Sequence, residues 1–160
     1  MVERVSFFDA VHGIGLRVAA GSGRSWLEQP AGDPRHAHCQ VDVPGDTLLP
    51  VPEPGPRPTS GTHFLAWDDL LRFADRLAAL AAPGRVGAAR LDDTGGLLTV
   101  RLRRDGRLRA ETTFTQGHHV TLTVRCQTAW DRHFGTRADL PGLAGQVRAA
   151  VARTRPPHPP

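Results

Sequence analysis

The sequence predicts an α+β domain: a single antiparallel β-sheet with two helices packed on one face. Three observations predict it. Several short segments alternate apolar and polar residues, the period of half-buried strands. Two longer segments carry apolar residues at helical spacing. Short glycine-containing loops join neighbouring strand-like segments in the second half, as hairpins require.

Size and composition bound the problem. The chain has 160 residues, is 39% hydrophobic and carries 20 basic and 16 acidic residues, a net charge of +4. That suits one ordinary domain with a sizeable core. The apolar stretches fall far short of the roughly 20 residues that span a bilayer, so no membrane segment is expected. Every basic residue is arginine, and lysine, tyrosine and asparagine are absent. A very GC-rich coding sequence produces such a bias, and the lack of tyrosine removes one possible catalytic group. The start shows no secretory signal, and the two cysteines, Cys39 and Cys126, need not pair. A reducing cytoplasm is the expected location, with both thiols as small buried hydrophobes.

Each element has its local reason. Val5 and Phe7, then Ile14, Leu16 and Val18, mark the first strands. Residues 21–34 read as a loop anchored by Trp26 and Leu27, and 36–43 as a third strand. The proline-rich insert 44–61 favours extended polyproline geometry and reads as a stiff surface connection. A short strand, 63–66, leads into a helix over 67–82, whose stripe is Leu70, Phe73, Ala74, Leu77 and Leu80. Asp68 and Asp69 suit its first turn and Pro83-Gly84 ends it. Strands follow at 86–91, 97–103, 107–114 and 118–126. The last helix starts near Asp139, its cap, and buries Leu140, Leu143, Val147 and Val151. Residues 1–153 thus form one domain and 154–160 a disordered tail, with no internal repeat visible in the sequence.

Parity sharpens the second half. Leu98, Val100, Leu102, Leu108, Ala110, Phe114, Val120, Leu122, Val124 and Cys126 share even numbers, so each strand has one apolar face. Directly paired antiparallel residues lie on the same face. A three-residue loop, Arg104-Asp105-Gly106, pairs Leu102 with Leu108. The other face then carries Arg101 opposite Arg109, and Arg107 opposite both Arg103 and Arg125. Residues 1–84 hold 7 arginines and 10 acids, whereas residues 85–160 hold 13 and 6. The arginine face, Arg101, Arg103, Arg107, Arg109 and Arg125, is either a solvated surface or a binding site for an anion. An acidic protein surface is the leading partner and a nucleic-acid backbone the alternative.

Other sites are weaker. His36 and His38 lie on one strand face with metal-ligand spacing, and Asp42 is a further candidate ligand. His118 and His119 adjoin a loop and point to opposite faces. Asp131 and His133 form a candidate acid–base pair. A small metal-dependent or acid–base enzyme using His36, His38 or His118 is the third functional reading. No phosphate loop, nucleophile elbow or paired zinc-cysteine motif is present, and nothing calls for a cofactor.

The order of elements over about 62–152 also has a parallel. The strand His63-Phe-Leu-Ala-Trp67 leads into Asp68-Asp69-Leu70-Leu71-Arg72-Phe73. The segments Gly95-Gly96-Leu97-Leu98-Thr99-Val100 and Gly117-His118-His119-Val120-Thr121-Leu122 follow, and Ala129-Trp130-Asp131-Arg132-His133 precedes the final helix. This layout resembles a group of uncharacterised small α+β proteins of GC-rich bacteria, and is similar to some toxin-immunity proteins. The resemblance implies a non-enzymatic protein–protein interaction module that covers a partner's surface, and it carries over no catalytic residue.

Overall fold

A computed structural model describes residues 2–7, 14–20, 35–42, 63–104, 118–126 and 130–157, the backbone alone at 126 and 130–137. The elements are β1 (Val2–Ser6), β2 (Gly15–Ala20), β3 (His36–Asp42), β4 (His63–Ala66), α1 (Trp67–Leu80), β5 (Gly87–Asp92), β6 (Leu98–Arg104), β7 (His118–Cys126), β8 (Trp130–Ala138) and α2 (Leu140–Thr154).

The expected α+β class and antiparallel pairing hold, but the single sheet does not. The strands form two four-stranded antiparallel meanders, β1-β2-β3-β4 and β5-β6-β7-β8. Parity assigns faces and is silent on how many sheets share them. The break falls at α1, which separates β4 from β5 in the chain.

The architecture is a strand-strand-strand-strand-helix unit used twice. No sequence repeat announces it, because apolar alternation and a few arginines are all the two halves share. The registers nevertheless match. Arg4 pairs with Arg17 in the first hairpin, and Arg90 with Arg101 in the second. Both hairpins close on the same backbone bond, Phe7 N–H to the Ile14 carbonyl and Asp93 N–H to the Leu98 carbonyl, each 3.1 Å.

The helices lock the halves together. α1 and α2 pack against each other, α1 also against β5 and β4, and α2 against β1 and β2. Arg148 pairs with Asp75 at 2.8 Å and Arg155 with Asp68 at 3.3 Å, so the helices run antiparallel. The α1 stripe Leu70, Phe73, Ala74, Leu77 and Leu80 is buried, as is Trp67. Its C-terminal carbonyls would otherwise lack partners. Arg104 from β6 donates to one of them, Leu80, and to the Ala82 carbonyl just beyond the helix, both at 2.7 Å. Asp139 caps α2 by accepting from Gly142 N–H, and Leu140, Leu143, Val147 and Val151 are buried as expected. Thr154 completes α2, while residues 158–160 of the expected tail lie outside the described residues.

One core joins these elements. Val5, Leu16, Cys39 and Leu65 of the first sheet belong to the same buried cluster as Leu91, Val100, Leu102 and Leu122 of the second. No helix among the described residues is long and apolar enough to cross a membrane.

Candidate functional site

The second sheet presents its polar face in rows. One row is Arg90–Arg101–Thr123, flanked by Ala88–Arg103–Thr121 and Asp92–Thr99–Arg125. Their sequence neighbours Ala89, Leu91, Val100, Leu102, Leu122 and Val124 are buried, which turns the arginines outward. Arg101, Arg103 and Arg125 are therefore on the face that the alternation predicts.

Their neighbours are different from those expected. Leu102 pairs with Ala89 on one side and Leu122 on the other, so both edges of β6 are occupied. The pairings of Leu102 with Leu108 and of Arg101 with Arg109 are thereby overturned. Leu122 satisfies the same parity rule as Leu108, and parity alone does not choose between them. Likewise Arg103 faces Ala88 and Thr121, and Arg125 faces Thr99 and Asp131, in place of Arg107. Arg107 and Arg109 lie outside the described residues. Like charge still meets like charge, because Arg101 stands opposite Arg90, a member of this face that the alternation of Ala89 and Leu91 signals equally well.

The electrostatics of the face single out one arginine. Asp92 accepts from Arg90 Nε at 3.1 and 2.8 Å and from the Thr99 hydroxyl at 2.7 Å. Partial burial pushes the Asp92 carboxyl up, but the hydrogen bonds from Arg90 and Thr99 and the Arg90 charge outweigh it and hold the group below its ordinary value. Both of its oxygens are thus engaged without reaching Arg101. Arg101 is exposed and has no hydrogen bond or ion pair among the described residues.

The first sheet handles its arginine pair otherwise. Asp42 lies buried at the end of β3 and accepts from Arg17 Nε at 2.7 Å, with Arg4 Nε at 3.6 Å. Gly15 leaves room for the Arg4 guanidinium, which sits 2.9 Å from where a Cβ would stand. Asp42 Oδ2 is therefore engaged by arginine, while Oδ1 is buried with no hydrogen-bond partner among the described residues. His36 and His38 do share the outward face of β3, since Ala37 and Cys39 are buried. The His38 ring meets Phe64 edge-on at 4.8 Å, and burial lowers its basicity. No group of three or more potential metal ligands comes together among the described residues.

A second polar pair lies inside. His63 Nδ1–H donates to Asp93 Oδ2 at 3.0 Å, with both side chains almost fully buried. Asp93 Oδ1 accepts from the Leu97 and Leu98 amides at 2.8 and 3.1 Å. His63 Nε2 is buried without a partner among the described residues, and Cys39 stands across from His63 on β3. The pairing was not legible in the sequence: thirty positions separate the two residues, and Asp93 beside Gly95-Gly96 reads as ordinary turn chemistry. The side chains of Asp131 and His133, the candidate acid–base pair, lie outside the described residues.

No protein-family model matches the chain, and no curated protein or solved structure matches it.

Proposed function

We propose that this chain is a non-enzymatic protein–protein interaction module that presents the outward face of its second sheet to an acidic protein partner. An immunity-like role, in which the module covers the working surface of another protein, is one form of that activity. The observation that carries the reading is Arg101: exposed, opposed by Arg90 and bonded to no carboxylate among the described residues. Surrounding like charge raises the positive potential at such a point, which steers an acidic surface toward it.

A nucleic-acid backbone would meet the same charge. Binders of single strands add aromatic side chains on which bases stack. The described outward positions of β5, β6 and β7 are Ala88, Arg90, Asp92, Thr99, Arg101, Arg103, His119, Thr121, Thr123 and Arg125, without phenylalanine or tryptophan. That composition favours a protein partner.

The test is affinity capture from native lysate with wild type and with the Arg101→Ser/Arg103→Ser double variant. Wild type is expected to retain a specific acidic protein, and the variant to lose it without a loss of melting temperature. Equal capture by both would remove this face from the account. Loss of capture after nuclease treatment would transfer the reading to nucleic acid.

A further inference from the structure

We infer that the partner supplies an aspartate or glutamate carboxylate to Arg101, in the place that Asp42 takes beside Arg17 in the first sheet. The inference rests on the interaction reading above and names the group recognised.

The matching registers carry it. In the first sheet the row Arg4–Arg17–Gln40 lies beside the row Ser6–Gly15–Asp42. In the second, Arg90–Arg101–Thr123 lies beside Asp92–Thr99–Arg125. Arg101 is thus the counterpart of Arg17, and Arg125 the counterpart of Asp42. The first sheet closes its arginine pair internally, with a carboxylate from its third strand at 2.7 Å from Arg17 Nε. The second sheet has an arginine on its third strand at that point. Its nearby carboxylate, Asp92, sits on the first strand and turns to Arg90 and Thr99. The first sheet sets a carboxylate oxygen of its third strand against Arg17, and the second has an arginine at the same register position.

Guanidinium forks fit carboxylates and phosphates alike. The chain itself decides between them. At the matching position the group that seats against the arginine is a side-chain carboxylate, and the described face offers no phenylalanine or tryptophan on which a base would stack. The occupant is therefore an acidic side chain on a protein surface.

The register also supplies a test. Arg125→Asp puts a carboxylate at the Asp42 position of the second sheet, where it can satisfy Arg101 from within. Arg76→Asp, at an exposed position of α1, makes the same change in net charge elsewhere. The probe is a fluorescently labelled peptide of alternating glutamate and glycine, with an oligothymidylate of equal charge as the comparison, both at low salt. Wild type is expected to bind the peptide more tightly than the oligonucleotide. Arg125→Asp should weaken the peptide by about tenfold or more, and Arg76→Asp by at most about threefold, the scale of screened surface charge. Arg101→Glu should abolish binding, and serves as the second variant if Arg125→Asp folds poorly. Equal losses for Arg125→Asp and Arg76→Asp would overturn the inference, as would an absence of peptide binding or a tighter oligonucleotide. If protein capture succeeds while Arg125→Asp binds like Arg76→Asp, the carboxylate inference alone falls. If wild type captures no protein, the interaction reading falls with it.

Discussion

His63 of β4 and Asp93 of the β5–β6 turn join the two halves of the molecule through a buried contact of 3.0 Å. Alongside it the Thr94 amide donates to the Phe64 carbonyl at 2.9 Å. The edge strand of the first sheet is thus pinned to the first hairpin of the second by one side-chain bond and one backbone bond.

Asp93→Ala is expected to destabilise the fold by about 2 kcal/mol, because it orphans the buried His63 Nδ1–H and the part-buried Leu98 amide, whereas the exposed Leu97 amide can turn to water. Asp93→Asn keeps an acceptor for the amides and should cost about half as much. Chemical denaturation measures both. A change below about 1 kcal/mol for the alanine variant would show that the turn rearranges to satisfy its own amides.

Cys39 should be chemically inert in the folded protein. It is 1% exposed, and burial pushes its thiol well above the ordinary range, so the nucleophilic thiolate is scarce. In a Cys126→Ser background, alkylation by iodoacetamide should proceed at the rate of unfolding and rise only weakly from pH 7 to pH 9. Rapid, strongly pH-dependent labelling under native conditions would place Cys39 in an accessible site and refute its role as a core residue.

Asp92 gives stability a specific pH dependence. Its carboxyl is held below its ordinary value in the folded chain, so the unfolded state takes up a proton first as the pH falls. The contribution is fully present above the ordinary carboxylate range and is lost as the pH falls through the lower folded value. Asp92 and Arg90 are 44% and 60% exposed, so solvent screening keeps the effect small. The stability difference between wild type and Asp92→Asn should therefore be small and constant at neutral pH and vanish in strong acid. A difference that grows on acidification would reverse the sign and exclude the Arg90 contact as its source.

Legibility differed from place to place in the chain. The outward aim of Arg101, Arg103 and Arg125 follows from the buried alternation beside them. Arg90 carries the same signal, although the candidate face drawn from the hairpin register omitted it. The two-sheet architecture gave no such signal, because alternating residues are equally content in one sheet or two. The matched hairpins became visible only when pairing placed Arg4 by Arg17 and Arg90 by Arg101.

Local chemistry by itself determined the elements: the α1 stripe, the Asp139 cap of α2 and the inward parity of Leu98, Val100 and Leu102. These depend on periods of two and of about 3.6 residues, which neighbouring positions express directly. Only the tertiary structure decided that Leu102 meets Leu122 and not Leu108, that Asp42 closes on Arg17, and that His63 reaches Asp93. Each of those choices satisfies a rule that another partner satisfies as well. Which partner wins depends on how the whole chain fills one core and leaves the fewest buried polar groups unmatched.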